Sequence, residues 1–401
     1  MFGLVCTSGV LKLASAPLYI FVIDRYYGGR ADAFGYSSAG MQIAPYLRHA
    51  ALPPSGVGKV PGVGTVNFAA GMVYSLIGNN ELAGFFLFSF IALLGLVMFE
   101  RAVRIGLPSA DHWLYARLIF LFPSVLFWTA AIGKDALVCF GLGLSCLGAA
   151  KVLRRVRGGL FNLICGLAVI ALIRPHIALI VLVALGATYP LMNSRSREFS
   201  PLRPLTSFGV LVVLIGVGFG LARVTSSFLG IDGLSPSSIS QVLTGISAHT
   251  GTAASGQVGF GSSVGGSVSL SPLRLPQDIY DIVVRPLPFQ AHGITQIVAS
   301  IENLFLVVLL ITRRDSFLAV LRQPRRAPFA FFAGAYSLIW IILFASVGNL
   351  GLLDRERIQL LPFLFAIAVA TRVDVVRGTA ASDPGRTENV VADRIIERAL
   401  P

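Results

Sequence analysis

Charged residues are rare in this chain and fall at the ends of long apolar runs. Only 13% of the residues are charged and 55% are hydrophobic, more apolar surface than one water-soluble core can hide. A helix needs about 20 mostly apolar residues to cross a bilayer. Barrel strands would alternate in polarity, whereas these runs are apolar throughout. The pattern predicts an all-α, polytopic transmembrane bundle of about ten helices. The main uncharged runs are Leu82–Phe99, Leu118–Gly133, Ala136–Ala150, Gly158–Ile173, Ile177–Ser194, Pro204–Ala222 and Ala327–Leu353.

The basic residues predict which side of the membrane each connection faces. Clusters at 151–157, 195–203 and 313–326 mark cytoplasmic loops, because cytoplasmic connections are enriched in Lys and Arg. Threading the helices between them places both termini inside and two longer loops, about 24–65 and 224–289, outside. The predicted membrane domain covers residues 1–371, and a polar cytoplasmic tail covers 372–401.

The net charge of +13 does not indicate a nucleic-acid binder, because the basic residues are scattered between apolar segments and form no stripe. The four cysteines have neither CxxC spacing nor a histidine at ligand spacing, so the sequence predicts no zinc or other metal site. It identifies no cofactor.

Titratable residues gather on the predicted extracytoplasmic face. Because positive-inside bias depletes external arginine, arginines retained there at helix ends indicate an anionic ligand. The candidates are Asp32, Lys134, Asp135, Arg174, His176, Arg285, His292, Asp354, Arg355 and Arg357.

Each candidate also has a structural interpretation. Asp135 suits a helix cap and Lys134 a snorkelling side chain. Arg174-Pro175-His176 suits a hairpin turn, and the charges of Asp354 to Arg357 suit mutual neutralisation. Glu302 is a stronger functional candidate, because an intramembrane carboxylate is costly and faces either a partner or a cavity.

Several strings carry a resemblance to a known group of proteins. They are FPSVLFWTAAIGKDAL (122–137), ALIRPHIAL (171–179), VVRPLPFQAH (283–292) and GNLGLLDRERIQLLPFLF (348–365). Together they resemble actinobacterial-type polytopic proteins of polysaccharide assembly, which are similar in layout to O-antigen and exopolysaccharide polymerases and to lipid-linked glycosyltransferases. Asp32-Ala33-x-x-Tyr36 is similar to the first-loop acidic motif of polyprenyl-phosphate-dependent transferases.

The resemblance implies a multi-pass protein of the bacterial plasma membrane that uses a polyprenyl-(di)phosphate-linked saccharide outside the cytoplasm. Asp32 or Glu302 would act as base and His176 would assist. Substrate binding would fall to Arg174, Lys134, Asp135, Arg285, His292, Asp354, Arg355 and Arg357. Two other hypotheses stay open: a transporter or flippase for a lipid-linked or anionic solute, and a non-catalytic partner in cell-envelope assembly.

Overall fold

The structure is a computed structural model that describes residues 1–29, 31–51, 53, 58, 60–193, 220, 223, 275–290, 294–322, 324–344 and 350–370. Within these residues every regular element is helical and none is a strand, which confirms the all-α prediction for this part of the chain. The helices are α1 (Phe2–Tyr27), α2 (Asp32–Arg48), α3 (Val63–Ile77), α4 (Glu81–Gly106), α5 (His112–Leu121), α6 (Pro123–Trp128), α7 (Lys134–Leu153), α8 (Gly159–Ala171), α9 (Pro175–Asn193), α10 (Leu275–Val283), α11 (Ile294–Thr312), α12 (Arg314–Arg322), α13 (Pro328–Phe344), α14 (Leu350–Glu356) and α15 (Leu361–Val369).

Three of these helices are long and apolar enough to cross a membrane, namely α1, α4 and α7. Shorter apolar helices accompany them, including α3, α8 and α13. The chain is therefore a multi-pass helical membrane protein. The number of about ten crossings stays a prediction, and both the run Pro204–Ala222 and the tail 372–401 lie outside the described residues.

Among the described helices, α4 and α7 make the most extensive contact. Gly95 and Gly143 face each other there: a Cβ on Gly95 would lie 2.6 Å from the carbonyl oxygen of Cys139, and one on Gly143 would overlap the carbonyl of Gly95. Small residues let helix backbones approach in an apolar environment, where association depends on packing and not on the expulsion of water.

The first predicted external loop, about 24–65, contains a helix. Residues Asp32–Arg48 form α2, which packs on α3 so closely that a Cβ on Gly40 would lie 2.6 Å from that of Ala70. Arg48 also donates to the carbonyl of Tyr74 over 2.7 Å. The polar composition of this stretch conceals the helix, because α2 buries only one face.

The apolar run Leu118–Gly133 is also divided. Within this run, helix α5 ends at Leu121 and a second short helix, α6, begins at Pro123. Proline suits the first helical position because it has no N–H to leave unsatisfied. The next N–H, that of Ser124, is free to bond a side chain from elsewhere in the fold.

The two ends of the bundle differ in character. At one end, Arg154 after α7 donates to the carbonyl of Gly106 over 3.0 Å, and Arg313 pairs with Asp111 at 3.9 Å. The N–H of Asp111 also donates to Val369 over 3.2 Å. The other end, one length of α7 or about 30 Å away, holds the start of α7 and the connection between α8 and α9.

Candidate functional site

An ionic network with a buried centre occupies that second end of the bundle. We call it the Asp135 cluster; it consists of Asp32, Lys134, Asp135, Arg174, Arg355 and Glu356. Asp135 is 3% exposed and lies in the first turn of α7. Its Oδ1 accepts from Arg174 Nη2 over 3.3 Å, and its Oδ2 accepts from Arg355 Nε. One carboxylate thus joins two guanidinium groups from distant parts of the chain.

Arg174 occupies the short connection between α8 and α9. Besides Asp135, it pairs with Glu356 at the end of α14. Glu356 also accepts from the side-chain amide of Gln359 over 2.6 Å. The side chains of Asp135, Arg174, Glu356 and Gln359 are all buried. The network therefore fixes α14 against α7 and α9.

Arg355 extends the network to the first turn of α2. Its Nη1 lies 3.4 Å from Oδ2 of Asp32, whose side chain is 53% exposed. Burial disfavours the charge of Arg355, but Asp135 and the other acidic neighbours outweigh it and raise the pKa of the guanidinium. Arg355 is therefore a permanent cation. Asp32 is the carboxylate of the cluster with the most exposed side chain.

Lys134 differs from the other cations of the cluster. It is half-buried and within electrostatic range of Asp32, Asp135, Arg174 and Arg355. In the part of the chain that the structure describes, its ammonium group nevertheless makes no hydrogen bond or salt bridge. The cluster contains three cations and three carboxylates, so its net formal charge is zero, and Lys134 is the cation available to a ligand.

A second polar group lies beside the first; we call it the Glu302 cluster, formed by Ser124, Glu302, Asn303, Asp354 and Arg357. Glu302 is 6% exposed, and its Oε1 accepts the backbone N–H of Ser124 over 2.7 Å. Arg357 is 1% exposed and donates to the side chains of Asn303 and Asp354. A further bond from Arg357 to the carbonyl of Ile282, 3.3 Å long, ties the group to α10.

The four consecutive residues Asp354 to Arg357 are divided between the two clusters. Asp354 and Arg357 pair with each other in the Glu302 cluster, while Arg355 and Glu356 belong to the Asp135 cluster. Residues three apart lie on the same side of a helix and the two between them turn away. The predicted mutual neutralisation thus holds for the outer pair only, and the inner pair binds partners that are distant in sequence.

Of the other predicted site residues, Arg285 pairs elsewhere, whereas His176 is within electrostatic range of Arg174 and Lys134 in the Asp135 cluster. Arg285 pairs with Asp281 at 3.1 Å and stacks over the ring of Tyr280, with no bond to either cluster in the described residues. His176 is in the first turn of α9, where its ring centroid lies 6.2 Å from that of Phe344. His292 is outside the described residues. The structure therefore unites Asp32, Lys134, Asp135, Arg174 and Arg355 in one cluster and Glu302, Asp354 and Arg357 in the other.

Sequence reasoning missed Ser124, Asn303 and Glu356 as members of these clusters, and it missed Gln359 as a partner of Glu356. The only available signals were local: Asn303 follows an intramembrane carboxylate, and Ser124 follows a helix-starting proline. Within the described ranges, no group of three His, Cys, Asp or Glu side chains is placed to hold a metal ion. Comparison with known proteins adds no relative, since no family model, curated protein or solved structure matches the chain.

Proposed function

We propose that this protein is an integral-membrane glycosyltransferase or polysaccharide polymerase that uses a polyprenyl-(di)phosphate-linked sugar on the extracytoplasmic face. The Asp135 cluster carries the proposal. Its members come from four separate segments, yet they converge at the end of the bundle opposite Arg154 and Arg313. Positive-inside bias assigns the end with Arg154 and Arg313 to the cytoplasm, and so assigns the cluster to the outside.

The chemistry of the cluster suits a phosphate group. Guanidinium and ammonium groups bind phosphate oxygens through charge-assisted hydrogen bonds. Lys134 offers a cation that is not committed to a carboxylate, and Arg174 and Arg355 stand beside it. A departing phosphate or diphosphate would be stabilised by these groups while the lipid tail lay between helices.

Transfer also requires a base that accepts the proton of the attacking hydroxyl. Two carboxylates suit this role in different ways. Asp32 is accessible and lies within the Asp135 cluster, whereas Glu302 is buried and has one oxygen, Oε2, without a hydrogen-bond partner among the described residues.

Transport of a lipid-linked or anionic solute is the second candidate function, and one observation favours it. Lys12, in the middle of α1, is 2% exposed and bonds only the hydroxyl of Thr129 among the described side chains. Ionisable groups buried within a membrane helix often mark transport pathways.

A test of the proposed function uses purified protein in detergent micelles with polyprenyl diphosphate oligosaccharide. Chain growth without a sealed compartment supports an enzyme. Accumulation that needs a sealed vesicle, with no new glycosidic bond, would favour the transporter and contradict the proposal.

Lys134→Gln is the sharpest variant, because no hydrogen bond or salt bridge of the described structure is lost with it. Removing one charge-assisted contact to phosphate should lower kcat/KM about 10- to 100-fold. The matched control is Lys151→Gln, which changes a half-buried lysine at the other end of the same helix and should leave kcat/KM unchanged. Equal activity in both variants would remove Lys134 from the site.

A further inference from the structure

An open cleft of about 390 Å³ lies at the connection between α12 and α13. The described residues that line it are Arg322, Pro324, Arg325 and Arg326, with no carboxylate among them; we call it the arginine cleft. Within the described ranges, none of the three guanidinium groups makes a hydrogen bond or a salt bridge. Like charges around one cleft repel each other, and an anion between them relieves that repulsion. The lining therefore indicates an anion-binding site.

The arginine cleft belongs to the end of the bundle that holds Arg154. Arg313, which immediately precedes α12, pairs with Asp111 at that end. Phe329, in the first turn of α13, packs its ring on Gly106, whose carbonyl accepts from Arg154. The stretch 314–328 is thus anchored on both sides at this end, away from the two polar clusters.

Beside the cleft, α12 presents an apolar face outward. Leu318 and Leu321 are 41% and 73% exposed, whereas Val320 is buried against the bundle. Residues three and four apart share one side of a helix, so the two leucines form one strip between the exposed Arg314 and Arg322. Such a strip suits a helix in the headgroup layer, with its leucines among acyl chains and its arginines at the phosphates.

We infer that the arginine cleft binds the phosphate headgroup of an anionic phospholipid of the adjoining leaflet, while Leu318 and Leu321 contact its acyl chains. Basic pockets between membrane helices recognise anionic headgroups by this chemistry. Positive-inside bias explains why arginines lie at this end, but not why three unpaired ones line a single cleft. A water-soluble anion would meet the same arginines and leave the leucines in water. The inference does not depend on the proposed function.

The acidic residue of α12 does not neutralise the cleft. Asp315 lies about two helical turns, or about 10 Å, before Arg322, and it is not part of the lining. The three arginines therefore keep their charge for a ligand from outside the described chain.

The test is lipid binding to purified full-length protein, delipidated in a neutral detergent and followed by native mass spectrometry. The probes are dioctanoylphosphatidylglycerol, dioctanoylphosphatidylcholine with the same chains, and glycerol phosphate without chains. The first phosphatidylglycerol should bind with a dissociation constant about 10-fold or more below that of phosphatidylcholine, since only the former has a net negative charge. Glycerol phosphate at the same concentration should not displace it.

Two exposed arginines of the cleft give the charge variant. Arg322→Gln combined with Arg325→Gln should raise the dissociation constant of phosphatidylglycerol about 10- to 30-fold. The matched control combines Arg155→Gln with Arg157→Gln, which are also exposed, lie near Arg154 and make no hydrogen bond or salt bridge in the described structure. This control should leave the dissociation constant unchanged.

The apolar contact has its own variant. Leu321→Ser should raise the dissociation constant about 3- to 10-fold, because the acyl chain loses an apolar partner. Leu160→Ser is the control, since Leu160 is 63% exposed in the first turn of α8, and it should have no effect.

Three outcomes would overturn the inference. Equal affinity for the two phospholipids would mean that the cleft does not recognise an anion. Displacement of the lipid by an equal concentration of glycerol phosphate would mean that the ligand is a soluble phosphate. Equal weakening by the two double arginine variants would mean that general surface charge, and not the cleft, attracts the lipid.

Discussion

At the scale of the residue, the fold depends on charges that are buried and paired. Asp135 is an example, because its two oxygens serve two arginines. Placing a charge in a low-dielectric interior is costly, and the cost is offset only while its partners remain in place. The loss of this shared carboxylate therefore leaves Arg174 and Arg355 with one carboxylate partner each, and the cluster with one uncompensated positive charge.

Asp135→Asn should lower the free energy of unfolding by about 3 kcal/mol or more, the usual cost of removing one partner from a buried ion pair. Unfolding in mixed micelles titrated with SDS measures it. Asp281→Asn makes the same change in a partly exposed i, i+4 pair with Arg285 and should cost less than about 1 kcal/mol. Equal losses from the two variants would contradict the burial argument.

Lys12 provides a second prediction at this scale. Thr129→Val keeps the volume but takes away the hydroxyl that the buried ammonium bonds, so it should destabilise the protein by about 1–3 kcal/mol. Lys12→Met removes the charge itself and should be neutral or stabilising. The same SDS titration compares them, and a larger loss from Lys12→Met would mean that the ammonium contributes net stability.

The sequence predicts which charged residues meet at the candidate site. It predicts less well which of them pair with each other. Lys134, Asp135, Arg174 and Arg355 were recognisable because each interrupts an apolar run at a helix end. Arg355 and Arg357 are two residues apart and are both predicted to bind substrate, yet they belong to different clusters. Only the path of the chain through α14 decides that division, and no local pattern encodes it.

At the scale of the element, hydrophobicity predicts α4 and α7 well, because each is a long run that is apolar on all sides. It fails where helices are short or polar on one face. The stretch 24–65 reads as a loop, although α2 lies within it. The run Leu118–Gly133 reads as one helix, although Pro123 divides it. That division frees the Ser124 N–H for Glu302, so the error falls at the candidate site.

Glycine contacts between helices give the prediction at this scale. Gly143→Ala would drive a methyl group into the backbone of Gly95 and force α4 and α7 apart, which should cost about 1–3 kcal/mol, as overpacking usually does. Gly186→Ala in α9 meets nothing within 4 Å and should gain up to about 1 kcal/mol from helix propensity. Thermal unfolding midpoints in detergent compare the two, and a neutral Gly143→Ala would show that the helix pair yields easily.

At the scale of the whole molecule, the two ends of the bundle have different chemistry. Arg154 and Arg313 bond groups at one end, and the two polar clusters occupy the other. The start of α4 lies at the cluster end, because a Cβ on Gly84 would lie 3.0 Å from the side chain of Ile132, close in sequence to Lys134. The function proposed for the clusters requires that this end face away from the cytoplasm.

Single cysteines test that orientation. Asn79 precedes α4 at the cluster end, and Arg157 follows α7 at the basic end; both are exposed. In a background where the four native cysteines are replaced, Asn79→Cys should react with a membrane-impermeant maleimide in intact cells, and Arg157→Cys should react only after permeabilisation. Positive-inside bias is the reason, since the arginines around 154–157 hold that end in the cytoplasm. The reverse pattern would place both clusters inside, where an extracytoplasmic lipid-linked donor cannot reach them, and equal labelling of both positions before permeabilisation would mean that the bundle has no fixed orientation.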